Sequence, residues 1–211
     1  MYASGMLGME DAFKAIKLRA AAMAEAAEAT GGSMAAIIGS DNETIAKVCE
    51  EVNGFCAPAN YNSPQQTVIA GESAAIDEAV AKFAEMGKRA VKLAVSAAFH
   101  TKLMAGAAEK FKGEIAGFPF KAPNCDFYSN LYGRKLDDFS DMPSYLAAHI
   151  CSPVKFVDEL SAMQSAGIEA YVELGPGKVL TGLVKKFDRS ANAMHIENAE
   201  TLEKALAALK G

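Results

Sequence analysis

Apolar and polar positions along the chain switch repeatedly between a helical period and a strand period. From Met9 to Glu28 the helical period holds: Ala12, Ile16, Arg19 and Met23 fall at i, i+4, i+7 and i+11 and share a face, with Lys14, Lys17, Glu25 and Glu28 on the solvent side. Gly31-Gly32 then offer the left-handed dihedrals on which helices commonly stop. Arg19 is the odd member of that stripe. A guanidinium on an apolar face needs an anion, from a carboxylate of the protein or from a ligand, unless its stem carries the charge out to water.

The next stretch reads as a self-contained unit. Met34 to Gly39 predicts a strand, and Asp41 or Asn42 then caps a helix carrying Ile45, Val48 and Val52. Phe55 to Tyr61 and Thr67 to Ala70 predict two strands joined by Asn62-Ser63-Pro64. Ser73 is placed to cap a helix with Ile76, Val80 and Phe83 that Gly87 closes, and Ala90 to Val95 predicts a strand with Val91, Leu93 and Val95 on one face. The order β-α-β-β-α-β is the ferredoxin-like plan. That plan serves many functions. RNA recognition is excluded, because Gln66 to Ala70 carries no aromatic on which a base could stack.

Beyond it the alternation resumes. Helices are expected at Thr101 to Ile115, Ser144 to Ile150, Val154 to Ala166, after Gly177, and at Leu202 to Leu209. Strands are expected at Cys125 to Leu131, Ala170 to Leu174 and Ala193 to Ile196. The fold class is α/β: helices on a mostly parallel sheet, with the ferredoxin-like unit inserted.

With 211 residues, 51% hydrophobic and 22% charged, the chain can bury a sizeable core. A net charge of −5 without a basic run argues against nucleic acid as a partner. No apolar run approaches the roughly 20 residues of a membrane span. The opening lacks a basic start and meets Glu10 and Asp11 early, which argues against a signal peptide, so the expected compartment is the cytoplasm. Cys49, Cys56, Cys125 and Cys151 have no zinc spacing and read as reduced structural thiols, and no metal is expected.

Three histidines occur, His100, His149 and His195. His100 stands at a strand-to-helix junction, where α/β enzymes present catalytic groups. A base needs something to deprotonate, and no Gly-x-Ser-x-Gly elbow occurs in the chain. Gly175-Pro176-Gly177-Lys178 lacks the first glycine of a phosphate-binding loop and reads as a tight turn.

Collinear segments carry a resemblance. They include Leu18-Arg19, Met34 to Gly39, Asn62-Ser63-Pro64, Val68 to Gly71, Gly87 to Ala90, Phe99-His100, Leu103-Met104, Ser152-Pro153-Val154 and Glu173 to Leu183. Through them the chain resembles the C-terminal two thirds of the malonyl-CoA:acyl carrier protein transacylase family. The resemblance implies an α/β-hydrolase-like large domain (1–31 and 96–211), incomplete here, with an inserted ferredoxin-like subdomain (32–95). It implies transfer of a malonyl group from malonyl-CoA to acyl carrier protein, for fatty acid or polyketide synthesis, through a serine ester. No cofactor is implied beyond the phosphopantetheine that the carrier brings, and the full-length enzyme is expected to be a monomer.

Roles follow from the same resemblance. His100 is the general base, and Arg19 binds the malonyl carboxylate in a bidentate fork. Phe99 limits room for a branched acyl group, and Asn62 faces the cleft from the small subdomain. Lys88 and Arg89 are candidate contacts for coenzyme A phosphate or the acidic carrier, against the plainer reading of a solvated turn. His149 stands where many members have glutamine, and its main-chain carbonyl orients the base. The family's Gly-His-Ser-x-Gly motif is absent from these 211 residues. The resemblance therefore places the serine, the oxyanion-stabilising Gly-Gln-Gly loop and the leading strands outside the chain. The chain alone is expected to be inactive. The alternative is a non-catalytic remnant that binds carrier protein or acts as a scaffold.

Overall fold

The chain was analysed as a computed structural model that describes residues 1–210. Helix α1 (Met9–Thr30) ends where Gly31, at φ 65°, returns its N–H to the Ala27 carbonyl at 2.9 Å. Its buried face is Ala15 and Ala22, flanked by Leu18, Met23 and Ala26. Ile16, expected inward, is 65% exposed and lies with Met9 and Phe13 on the open side. Small side chains let the neighbouring helices approach α1 closely, so its contact face is not the one with the bulkiest residues.

The ferredoxin-like order is observed: β1 (Ser33–Ile38), α2 (Asn42–Glu51), β2 (Cys56–Ser63), β3 (Gln66–Gly71), α3 (Ser73–Glu85) and β4 (Arg89–Lys92). The strands form one antiparallel sheet in the order β2-β3-β1-β4. Strand periodicity sends Ala35, Ile37 and Ile69 against Ile45, Val48, Ile76 and Phe83 of the two helices. Met34, Ala36, Val68 and Ala70 face the other way, against Ala59 and Ala98.

Two local readings change. The β2–β3 turn is Pro64-Gln65, leaving Asn62 and Ser63 within β2. Asp41 caps α2 by accepting from Thr44 N at 2.8 Å, whereas Glu72 holds the cap position of α3 and Ser73 Oγ instead meets Ser33 Oγ at 3.0 Å. In the α2–β2 corner the buried thiols of Cys49 and Cys56 lie 3.2 Å apart, and the Cys49 thiol is pushed up by that contact and by burial.

Two junctions tie this unit to the rest. A Cβ on Gly32 would fall 2.8 Å from Ala98 N, so the start of β1 and the segment before His100 can meet only over a glycine. At β2, Tyr61 N donates to the Val154 carbonyl and Val154 N to the Ala59 carbonyl, both at 2.8 Å.

A short 3₁₀ turn (Lys102–Met104) leads into α4 (Ala105–Ile115), which packs on α1 and on α5 (Met142–Cys151) around Met104, Phe111, Ile115 and Ile150. The strand expected over Cys125 to Leu131 is a small hairpin, β5 (Tyr128–Ser129) with β6 (Arg134–Lys135). Then come α6 (Phe156–Ser165), β7 (Ala170–Leu174), α7 (Val179–Phe187), β8 (Asn192–Ile196) and α8 (Ala199–Lys210). The mostly parallel sheet reduces, among the described residues, to the pair β7–β8. Its face is open: Leu174 is 70% exposed, and Val172, Val179 and Leu180 are exposed beside it. Among the described residues no helix is long and apolar enough to cross a membrane.

Candidate active site

The segment between β4 and the 3₁₀ turn is locked before it reaches His100. Ala97 and Ala98 are buried, and the Thr101 hydroxyl donates to the Ala98 carbonyl at 2.7 Å while accepting from Leu103 N at 3.3 Å. Held between these anchors, His100 takes φ 60°, and among the described residues no other non-glycine has a positive φ. Such a conformation costs about 1 kcal/mol or more and persists where the surroundings over-determine it. It aims the ring at the end of α5, where Nδ1 lies 3.1 Å from the His149 carbonyl oxygen. With Nδ1–H donating to that carbonyl, the lone pair sits on Nε2. The carbonyl is itself well held, because Val154, a few residues on, is stitched to β2.

Arg19 on α1 and His149 on α5 complete a basic triad. His100 is depressed below its ordinary value chiefly by burial and further by Arg19, against the opposing pull of the His149 and Ser152 main chain. His149 is pushed down to about 4 by burial, then by Arg19, then by His100. Arg19 is lowered by burial, and among the described residues no carboxylate forms an ion pair with it. Arg19 disfavours a charge on both histidines, and no described carboxylate is among the groups acting on them, a setting that favours a bound anion.

The other expected residues distribute unevenly. Phe99, next to the base, packs on both the α1–α4–α5 cluster and the face of the small sheet turned away from α2 and α3. Asn62 is half-buried on β2, one residue beyond the Tyr61 tie to Val154. Lys88 and Arg89 are not near the triad. Arg89 pairs with Ile38 at one end of β1, and Ala98 packs at Gly32 beyond the other, about 20 Å away along a strand of this length. The Lys88 ammonium donates to the Gly39 carbonyl at 2.8 Å.

Sequence reading missed two features. Lys185, Lys186 and Arg189, at the end of α7, line a cavity of about 260 Å³ with Ile38, Gln65 and Gln66. Ile38, which lines that cavity, pairs with Arg89 across the β1–β4 ladder, so the end of α7 comes to the Arg89 end of the small sheet. The Lys-Lys pair was the available signal, but nothing local joins it to Arg89. Tyr145 was also missed: its ring lies 5.8 Å from that of His149, tilted edge-on, and its hydroxyl donates to Ser129 Oγ at 2.9 Å.

The Gly175-Pro176-Gly177 turn is structural. Leu180 N and Thr181 N at the start of α7 donate to the Glu173 carboxylate at 3.0 and 2.7 Å, so the helix end is already capped by an anion. A larger apolar cavity of about 580 Å³ lies against β7 and α6, and none of His100, His149 or Arg19 lines it. No group of three metal-ligating side chains occurs among the described residues.

A family model described as the acyl transferase domain matches residues 1–207. The chain is 35% identical over 214 residues to the malonyl CoA-acyl carrier protein transacylase of Bacillus subtilis (strain 168), spanning 100% of this chain and 68% of that protein. The solved transacylase of Clostridium perfringens superposes with a TM-score of 0.94 at 34% identity, covering 98% of this chain and 66% of that one. A type II PKS acyl-carrier protein in complex with its malonyl-transacylase gives a TM-score of 0.90 at 32% identity, over 97% of this chain and 67% of that one. The chain thus spans about two thirds of the length of these relatives.

Proposed function

Because this chain belongs to the acyl transferase domain family, we propose that it carries the base and the carboxylate receptor of a malonyl transfer from malonyl-CoA to acyl carrier protein. The observation behind this reading is the strained His100 whose Nδ1 is held by the His149 carbonyl, beside a half-buried Arg19 that forms no ion pair among the described residues. Burial keeps the His100 imidazole neutral at pH 7, with Nε2 free to accept a proton.

The steps are those of Ser–His acyl transfer, with the serine supplied by a polypeptide segment outside these 211 residues. His100 Nε2 takes the serine proton as the oxygen attacks the thioester carbonyl. The resulting imidazolium returns that proton to the departing coenzyme A thiolate, leaving a malonyl-serine ester. The phosphopantetheine thiol of the carrier then gives its proton to His100 and attacks the ester, and the serine oxygen recovers a proton as it leaves. Arg19 holds the distal carboxylate throughout, Phe99 bounds the space around the acyl carbons, and Asn62 faces the cleft. The surface of Lys88, Arg89, Lys185, Lys186 and Arg189 meets the coenzyme phosphates or the acidic carrier. No metal or further cofactor enters these steps.

The test is complementation. The chain alone, incubated with malonyl-CoA, should show no malonyl adduct by intact mass. Adding a polypeptide that carries a Gly-His-Ser-x-Gly elbow and its strands should restore transfer to carrier protein, and His100→Ala should abolish it. If the assembled pair forms a complex but transfers nothing, while the chain still binds carrier protein, the scaffold reading replaces the enzyme.

A further inference from the structure

Acyl transfer makes no use of the four cysteines. Two of them, seven positions apart along the chain, are brought into contact by the fold. We propose that Cys49 and Cys56 form a reversible disulfide when the chain meets a peroxide, tying the last turn of α2 to the start of β2. This modification site is independent of the transfer chemistry at His100.

The contact follows from the packing. Cys49 shares the buried face of α2 with Ile45 and Val48, and Cys56 opens β2 opposite Gly71 of β3. Both side chains belong to the core of the small sheet, both thiols are free, and their sulfurs stand 3.2 Å apart. An S–S bond is about 2.0 Å long, so closing it takes a shift of roughly 1 Å shared between two side chains. The other cysteines lie elsewhere. Cys125 is exposed ahead of β5, and Cys151 ends α5 with its sulfur 3.9 and 3.8 Å from the Ala147 and Ala148 carbonyl oxygens.

Closed, the pair is inert, because burial and the sulfur contact keep the proton on Cys49. The way in is the surface corner at 52–55, where Asn53 and Gly54 are exposed. Two bonds hold that corner. Asn53 N donates to the Glu78 carboxylate at 3.0 Å, and Glu72 N donates to the Phe55 carbonyl at 2.8 Å. Opening so short a segment costs less than unfolding the domain. Once it is open, one thiolate attacks a peroxide oxygen. The O–O bond breaks, an S–O bond forms, and the departing hydroxide takes up a proton as water. The second thiol then loses its proton and attacks the sulfenic sulfur, so that S–S forms, S–O breaks and a second water leaves. Two thiols have given two electrons and two protons to one peroxide.

The test treats the unmodified, folded chain with hydrogen peroxide, blocks remaining thiols with iodoacetamide and digests it with trypsin. The peptide 48–82 carries both cysteines. It should be lighter by two hydrogens and carry no blocking group, and dithiothreitol should restore both thiols. Cleavage after Glu50 or Glu51 should leave two halves that part only on reduction. The oxidised chain should melt at least about 3 °C higher than the reduced one. Glu78→Ala, which releases Asn53, should speed formation of the link roughly threefold or more and leave the labelling rate of Cys125 unchanged. The proposal fails if peroxide leaves peptide 48–82 with two free thiols, or carries it to sulfinic acid with no link. It fails equally if the main product joins Cys125 or Cys151, or if the link appears only in a chain unfolded by urea. An unchanged rate in Glu78→Ala would refute the corner as the route to the sulfurs.

Discussion

His100 Nδ1 lies 3.1 Å from the main-chain oxygen of His149, and the residue that makes this contact does so from a left-handed backbone at φ 60°. Orientation of the base is thus bought with local strain, and the strain is separable by mutation. His100→Ala keeps a Cβ at positive φ and loses the hydrogen bond, whereas His100→Gly loses the bond and relieves the backbone. The glycine variant should be more stable than the alanine variant by about 1 kcal/mol in urea unfolding. The reverse order would mean that the backbone at 100 is not strained in solution.

Arg19 should govern which acyl group is accepted. In the chain assembled with a nucleophile-bearing segment, Arg19→Ala should lower kcat/KM for malonyl-CoA far more than any residual rate with acetyl-CoA. Loss of one partner of a desolvated charge pair is worth roughly 2–5 kcal/mol, so discrimination should fall by well over tenfold. Equal losses on both substrates would assign Arg19 to packing.

Much of this was legible in the chain, and the limits have physical causes. The small sheet could be read because its strands alternate cleanly and its helices carry Ile45, Val48, Ile76 and Phe83 at helical spacing. His100 was legible by its position at a junction, but its positive φ was not, since that arises from Thr101 and Ala98 clamping both sides. The inward face of α1 was misread because alanine packs by closeness rather than by bulk. Arg19 was visible as an oddity, whereas the approach of its charge to the two histidines depends on α5 and the His100 segment converging on α1. The approach of the end of α7, with Lys185 and Lys186, to the Ile38 end of β1 is a product of topology, with no trace in local spacing.

Glu159 should set a ceiling on stability in alkaline solution. Glu159 is buried on α6, and its carboxyl is pushed up to about 7 by that burial. The folded state therefore holds a proton that the unfolded chain releases at lower pH. The associated stability is fully present below the ordinary carboxyl range and is lost as pH rises through about 7. The cost above that is roughly 3 kcal/mol by linkage. Glu159→Gln should raise Tm at pH 8 and change it little at pH 4.5. An equal gain at both pH values would show that the carboxyl is not buried as a neutral acid.

Stability should also be uneven across the fold. The small sheet is covered on both faces, by α2 and α3 on one side and by Ala98, Phe99 and Leu103 on the other. Its β2 edge is tied by Tyr61 and Val154. The β7–β8 pair is less well covered: it is two parallel strands with α7 and α8 packed beside them, a pairing that elsewhere is buried within larger sheets, and Leu174 at the end of β7 is 70% exposed. Opening β7 therefore exposes little additional apolar surface, whereas opening β1 or β3 exposes Ile37, Ile69 and Phe83. Amide hydrogen exchange should show Ile37 and Val68 protected to near the global unfolding free energy, and Val172 exchanging at least about a hundredfold faster. A polypeptide that completes the β7–β8 sheet should slow exchange at Val172 and leave Ile37 unchanged. Equal strong protection at Val172 and Ile37 in a monodisperse monomer would show that the parallel pair stands without further strands.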